Sequence, residues 1–209
     1  MSIHWFRPNQ PIAQLIFAHG AGAGCDSPFM QTMAQHLCDL NIQVGLFDFE
    51  YMQQAKAFGK RRPPERAPKL LAYFAKQLAQ ADKQLPLFIG GKSMGGRMAS
   101  MLVTQGFDSV KGVIAMGYPF HPPGKPLKLR TEHFVDMPCP FLVLQGERDT
   151  FGTKAELLAM QFNKTPDFVW FADGDHSLKP RKKSGYREAE HLLEAAKHAA
   201  QFMQEYSHD

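Results

Sequence analysis

The chain has 209 residues, 44% of them hydrophobic and 21% charged, and its 24 basic and 20 acidic residues leave a net charge of +4. That balance is too mild to point to nucleic acid, and no run approaches the ~18 apolar residues that would span a bilayer. Cys25, Cys38 and Cys139 are odd in number and widely spaced, which fits neither a disulfide framework nor a zinc site. Met1–Pro8 carries no export pattern, so the expectation is a cytoplasmic protein with free thiols, folded as one domain over residues 1–209.

Leu15-Ile16-Phe17-Ala18 is the first apolar run of strand length, and it leads directly into His19-Gly20-Ala21-Gly22-Ala23-Gly24. A loop with so little side-chain bulk can turn its backbone amides toward a ligand. Ala21, and next to it Gly22, are the candidate donors; His19 is expected to anchor the loop by hydrogen bonds. Val44–Phe49 reads as a second strand, and residues 57–68 as an irregular stretch rich in turn signals. Leu70, Leu71, Phe74 and Leu78 recur at helical spacing. Leu87-Phe88-Ile89, Val113–Met116, Phe141–Leu144 and Phe168–Phe171 continue the strand series, and Leu192, Leu193, Ala196, Ala199 and Met203 mark a closing helix. Strands this uniformly apolar are expected to be buried on both faces. The alternation predicts an α/β fold, a mostly parallel twisted sheet with helices on both faces. Residues 118–140 form a long connection able to shade a site, as do 57–68, but 209 residues leave room for a minimal cap domain or none.

The chemistry centres on Gly91-Lys92-Ser93-Met94-Gly95. A strand runs into it and a helix rich in small residues, Gly96–Val103, leaves it. Strand, G-x-S-x-G, helix is the layout of a nucleophile elbow, a tight turn that exposes a serine hydroxyl above a sheet. Gly91-Lys92-Ser93 also matches the end of a phosphate-binding loop, but that motif needs glycine where Pro86 stands and a flexible loop where Leu87–Ile89 reads as strand. Lys92 and Arg97 are read as forming salt bridges or, alternatively, as drawing in anionic substrates.

A serine hydroxyl needs a base to take its proton and a third group to orient that base. In elbow enzymes the acid and the histidine follow the serine in that order. Asp149 follows the strand Phe141–Leu144, and His176 follows Phe168–Phe171, so both fall at the same strand ends as Ser93. Glu147, Asp173 and Asp175 compete with Asp149, with Glu147 alternatively pairing Arg148 or another base and Asp175 shaping a turn. His121 and His133 compete with His176; His4, His36, His191, His198 and His208 are read as surface residues. The oxyanion would be held by the amides of Met94 and of Ala21 or Gly22. The clusters Arg61/Arg62/Arg66, Lys125/Lys128/Arg130 and Lys179/Arg181/Lys182/Lys183 are read as solvated loop charge.

Taken together, the His19–Gly24 loop, Gly91–Arg97, Gly146-Glu147-Arg148-Asp149 and Asp173-Gly174-Asp175-His176 resemble the α/β-hydrolase superfamily. The resemblance runs from about residue 12 to the last helix. It is nearest to the small hydrolases grouped with testis-expressed protein 30 and subunit 3 of the NSL acetyltransferase complex, which are akin to dienelactone hydrolase. It implies a triad of Ser93, Asp149 and His176 with no cofactor and no metal. Dienelactone hydrolases proper use a cysteine nucleophile, and Ser93 departs from that pattern. The expected activity is hydrolysis of esters or thioesters of small soluble acyl substrates through an acyl-enzyme on Ser93. The alternative is a catalytically silent scaffold that binds a protein partner. Neither nucleic acid nor membrane is expected as a partner.

Overall fold

Six parallel strands and one antiparallel edge strand form the sheet of the computed structural model, which describes residues 3–162 and 164–207. In chain order the strands are β1 (His4–Phe6), β2 (Ala13–Ala18), β3 (Ile42–Phe47), β4 (Leu87–Lys92), β5 (Val110–Met116), β6 (Phe141–Gly146) and β7 (Asp167–Phe171). Across the sheet they run β1-β3-β2-β4-β5-β6-β7, with β1 antiparallel to β3. The helices are α1 (Pro28–Asp39), α2 (Glu50–Phe58), α3 (Ala67–Leu78), α4 (Met94–Val103), α5 (Lys154–Ala159) and α6 (Glu188–Glu205). No helix among the described residues is long and apolar enough to cross a membrane.

The double-sided burial follows from side chains alternating across the sheet. Ile16 and Ala18 of β2, Ile89 of β4, Val113 and Ala115 of β5 and Val143 of β6 face one core, which α3 and α4 close with Leu70, Phe74, Met98 and Leu102. Leu15, Phe17, Phe88, Ile114, Met116, Leu142 and Leu144 face the other, closed by Met33 and Leu37 of α1 and Ala196, Ala199 and Met203 of α6. Strands β2 to β6 are therefore apolar and buried at most positions, as the sequence predicts, whereas β7, expected to be buried on both faces, is half-buried at Phe168–Trp170 because it is the last strand of the sheet.

Several boundaries differ from the sequence reading. The strand expected to reach Phe49 ends at Phe47, and α2 begins at Glu50. The stretch read as irregular over 57–68 shrinks at both ends, because α2 runs to Phe58 and α3 starts at Ala67 with Pro68 in its first turn. Helix α1 is not among the predicted elements, although Met30, Met33, Ala34 and Leu37 trace a helical face that the second core buries. His191 is buried rather than on the surface: its Nδ1 lies 2.7 Å from the carbonyl of Leu178, beneath the ring of Phe171. His208 lies outside the described residues.

Residues 118–140 are not a lid. Tyr118, Phe120 and Phe134 are fully buried against one another and against Phe141, and a short 3-10 turn spans Glu132–Asp136. The connection packs an aromatic layer over the first core, while Leu127, Leu129 and Val135 stay exposed to solvent.

The turn after β4 requires glycine for space. A Cβ on Gly95 would lie 2.3 Å from the carbonyl oxygen of Ala18 and 2.8 Å from that of His19, and one on Gly91 would lie 2.4 Å from the Gly95 carbonyl carbon. These are backbone atoms that no rotamer change can clear. Gly95→Ala is therefore expected to destabilise the fold by about 3 kcal/mol or more, the upper range for overpacking. Urea unfolding monitored by tryptophan fluorescence measures this; a loss below about 1 kcal/mol would show that the β2 and β4 loops can separate freely.

Candidate active site

Ser93 follows β4 directly and holds φ 52°, ψ −115°, a left-handed backbone that a residue bearing a Cβ rarely adopts. Its amide donates to the carbonyl of Met116 at the end of β5, which fixes the turn to the neighbouring strand. Helix α4 starts at the next residue, so the Met94 amide belongs to the first helical turn, where N–H groups have no intrahelical acceptor.

The loops after β6 and β7 converge on this serine. His176 Nε2 lies 2.8 Å from Ser93 Oγ, and its Nδ1 lies 2.8 Å from Asp149 Oδ2. Asp149 is fully buried. Its Oδ2 also accepts from Gln145 Nε2 at 2.9 Å, and its Oδ1 from the Phe151 amide at 2.9 Å. The Phe151 ring stacks on the imidazole, centroids 4.3 Å apart at 30°. Three of the four predicted loops thus bring Ser93, Asp149 and His176 into one hydrogen-bonded chain.

The competitors are engaged elsewhere. Glu147 pairs with another base, Lys154, at 2.7 Å. Arg148 and Arg181 instead hold Asp173. Asp175 Oδ1 accepts from the amides of Ser177 and Lys179, the turn-shaping alternative. His133 Nε2 lies 2.8 Å from Ser100 Oγ, and burial pushes its pKa down to about 4. His121 turns its Nδ1 toward the carbonyl of Pro122. Neither reaches Ser93.

The fourth loop supplies a wall. His19 is buried, with Nδ1 2.7 Å from the Gly20 carbonyl and Nε2 accepting the Phe49 amide at 3.1 Å. Burial lowers its pKa, which suits the neutral ring these bonds require. Tyr51 Oη reaches the carbonyls of Gly20 and Ala21 at 3.3 and 3.1 Å. Because peptide units are planar and trans, those contacts turn the amides of Ala21 and Gly22 the opposite way. A cleft of about 400 Å³ runs between Gly20–Ala23, Ser27–Met30, Lys92, Ser93, Phe151, His176 and Ser177. Among the described residues its far wall is the start of α1, and residues 118–140 do not line it.

Lys92 corrects the expectation of a salt bridge. Its ammonium donates to the main-chain carbonyl of His176 and lies 5.0 Å from the centre of the Phe29 ring, with no carboxylate in contact among the described residues. Burial pushes its pKa down to about 8, against an upward pull from Asp149 and Asp175. Arg97 is half-buried on α4, and its Nε has no partner among the described residues. Two contributors escape the motif reading. Gln145 is a polar residue at the end of a fully buried strand, a signal the sequence does carry. Phe151 has none, since nothing local distinguishes it from a core aromatic.

Comparison with known proteins agrees with this architecture. The family described as alpha/beta hydrolase domain matches residues 11–204. The structure is similar to a dienelactone hydrolase from Anabaena variabilis, with a TM-score of 0.69 and 19% identity over 96% of this chain and 89% of that one. It is similar to the esterase domain of a Rhodothermus marinus protein (TM-score 0.70, 16% identity, 98% and 92% covered). A serine hydrolase without a lid from Xanthomonas campestris also matches (TM-score 0.67, 14% identity, 96% and 88% covered). At these identities the likeness concerns the fold.

Proposed function

The chain belongs to the alpha/beta hydrolase domain family, and on that footing we propose that it is a serine hydrolase cleaving carboxylic esters or thioesters of small acyl substrates. The observation that carries the proposal is the unbroken hydrogen-bonded chain from Ser93 Oγ through His176 to buried Asp149. In this reading the 209 residues act as one domain, nearest in kind to the small hydrolases grouped with testis-expressed protein 30 and NSL complex subunit 3.

The reaction follows from the atoms in place. Ser93 Oγ attacks the acyl carbon while His176 Nε2 takes its proton, and Asp149 stabilises the imidazolium and holds its ring orientation. The oxyanion is held by the amide of Met94 and that of Ala21 or Gly22. The unused helical donor at Met94 and the outward-turned loop amides support that assignment. His176 returns the proton to the departing alcohol or thiol. Water then repeats the sequence on the acyl-enzyme, releasing the acid and restoring Ser93. Each proton taken is given back, and one water is consumed per turnover. A cleft of about 400 Å³, with no cap above it among the described residues, suits short acyl groups better than long lipid chains.

A fluorophosphonate probe tests the proposal directly. The expected result is a single adduct, mapped to Ser93 by mass spectrometry, together with turnover of a short-chain alkyl ester. A folded protein that takes no label would refute the nucleophile assignment and leave the scaffold reading.

A further inference from the structure

Lys92 is an unusual residue to find beside a nucleophile. It ends β4, it is half-buried, and it lines the same cleft as Ser93 and His176. An ammonium group carries three donors. One is used on the His176 carbonyl, and the ring face of Phe29 covers part of the charge. Neither of the two carboxylates that act on it through space, Asp149 and Asp175, is in contact with it. Asp149 is committed to His176, Gln145 and Phe151, and Asp175 to the amides of Ser177 and Lys179. A cation withdrawn from water without an anionic partner is costly, and a ligand anion entering the cleft would remove that cost.

We propose that Lys92 forms an anion subsite in this cleft, and that the substrates are acyl compounds carrying a carboxylate a few bonds from the scissile carbonyl. The proposal rests on the serine hydrolase reading and names its substrate class. The reach is bounded by the chain: a four-carbon stem holds the ammonium within about 6 Å of its own Cα, and the Ser93 Cα is about 3.8 Å from that Cα, so the ammonium lies at most about 10 Å from the Ser93 Cα. A dicarboxylic monoester of four or five carbons spans such a gap. A carboxylate on the alcohol side could use the same group, so both placements are tested.

Two matched pairs of esters decide the question: monoethyl glutarate against ethyl pentanoate, and 3-(pentanoyloxy)propanoate against propyl pentanoate. The expected wild-type result is a higher kcat/KM for the anionic member of at least one pair, mainly through KM. In Lys92→Met the anionic-to-neutral ratio should fall by about 10- to 100-fold, the range for a hydrogen bond to a charged group, while Lys92→Arg should retain most of it. A ratio unchanged in Lys92→Met overturns the proposal. So does an equal loss on both members, which would make Lys92 a tether for the His176 loop. Fluorophosphonate labelling separates the failures: labelled protein without an anion preference sinks only the subsite, whereas unlabelled protein sinks the hydrolase reading.

Calorimetric titration of the wild type with glutarate tests the subsite whether or not turnover is seen and whether or not Lys92→Met folds. The titratable groups acting on Lys92 are Asp149 and Asp175, and its hydrogen bond goes to the main-chain carbonyl of His176. The ammonium is charged below about 8 and loses its proton above it, so glutarate affinity should drop about tenfold between pH 7 and pH 9. No binding, or binding that a folded Lys92→Met variant retains in full, overturns the proposal.

Discussion

Replacing Ser93 by alanine is expected to lower kcat on a short-chain ester by about 10⁶-fold with KM little changed, and to abolish fluorophosphonate labelling. The size follows from how the hydroxyl is used. Ser93 Oγ is the atom toward which His176 and Asp149 are arranged. Without it neither retains a role, so the loss approaches that of removing the whole triad. What survives is the oxyanion hole and binding, which together leave a residual rate above that in water. Alanine keeps the Cβ at φ 52°, so the turn bears the same strain and unfolding should be nearly unaffected. Comparing single-turnover kinetics and urea unfolding of the two proteins measures both halves. A drop of only tenfold in a folded variant would mean that another group attacks.

Asp149→Asn should cost about 10⁴-fold in kcat, the loss expected when the orienting acid is neutralised in place. Asp149 Oδ2 faces the His176 Nδ1 and the Gln145 amide, and Oδ1 faces the Phe151 amide. An asparagine must put its NH₂ on one side or the other. Toward Phe151 it opposes a main-chain donor. Toward Gln145 it opposes a second donor and makes His176 Nδ1 an acceptor. The proton then moves to Nε2, which can no longer accept from Ser93. Either arrangement leaves a buried donor unpaired, at about 1–3 kcal/mol, so the variant should also unfold more easily. Nitrogen-15 shifts of the His176 ring report the tautomer, and rate measurements report the loss. A variant within tenfold of the wild type would transfer the orienting role to another carboxylate.

Much of this site is legible before any fold is known. A glycine on each side of a serine, between an apolar run and a helix of small residues, describes a close backbone approach, and Gly95 against the Ala18 carbonyl is that approach. His176 and Asp149 are legible because each follows an apolar run, and parallel strands deliver their following loops to one edge. The edge strand β1 is not legible. It has only three residues, is incompletely buried, and is placed by pairing with β3 rather than by any pattern of its own. The role of residues 118–140 is also hidden, because a loop that shades a site and one that packs aromatics into a core can have the same composition.

The choice among four carboxylates shows where local information stops. Glu147, Asp149, Asp173 and Asp175 lie within a few residues of two strand ends, and any of them is chemically able to orient a histidine. Gln145 from the strand and the Phe151 amide from the turn draw Asp149 inward, while Lys154, Arg148 and Arg181 draw Glu147 and Asp173 outward. Most of those partners lie two to eight residues away and only Arg148 is 25 residues from Asp173, but which way each side chain turns is set by the folded loops, and no spacing rule encodes it. Lys92 shows the same limit, since its unmatched charge depends on what β7, α1 and their loops bring near it. By itself, the sequence determines the α/β architecture, the tight turn at Ser93, and which loops carry Asp149 and His176 to one sheet edge, because apolar periodicity and glycine sterics act over a few residues. Only the tertiary structure decides strand order, which carboxylate meets His176, and the exposure of an unpaired ammonium to the cleft, because each is set by contacts between segments far apart in the chain.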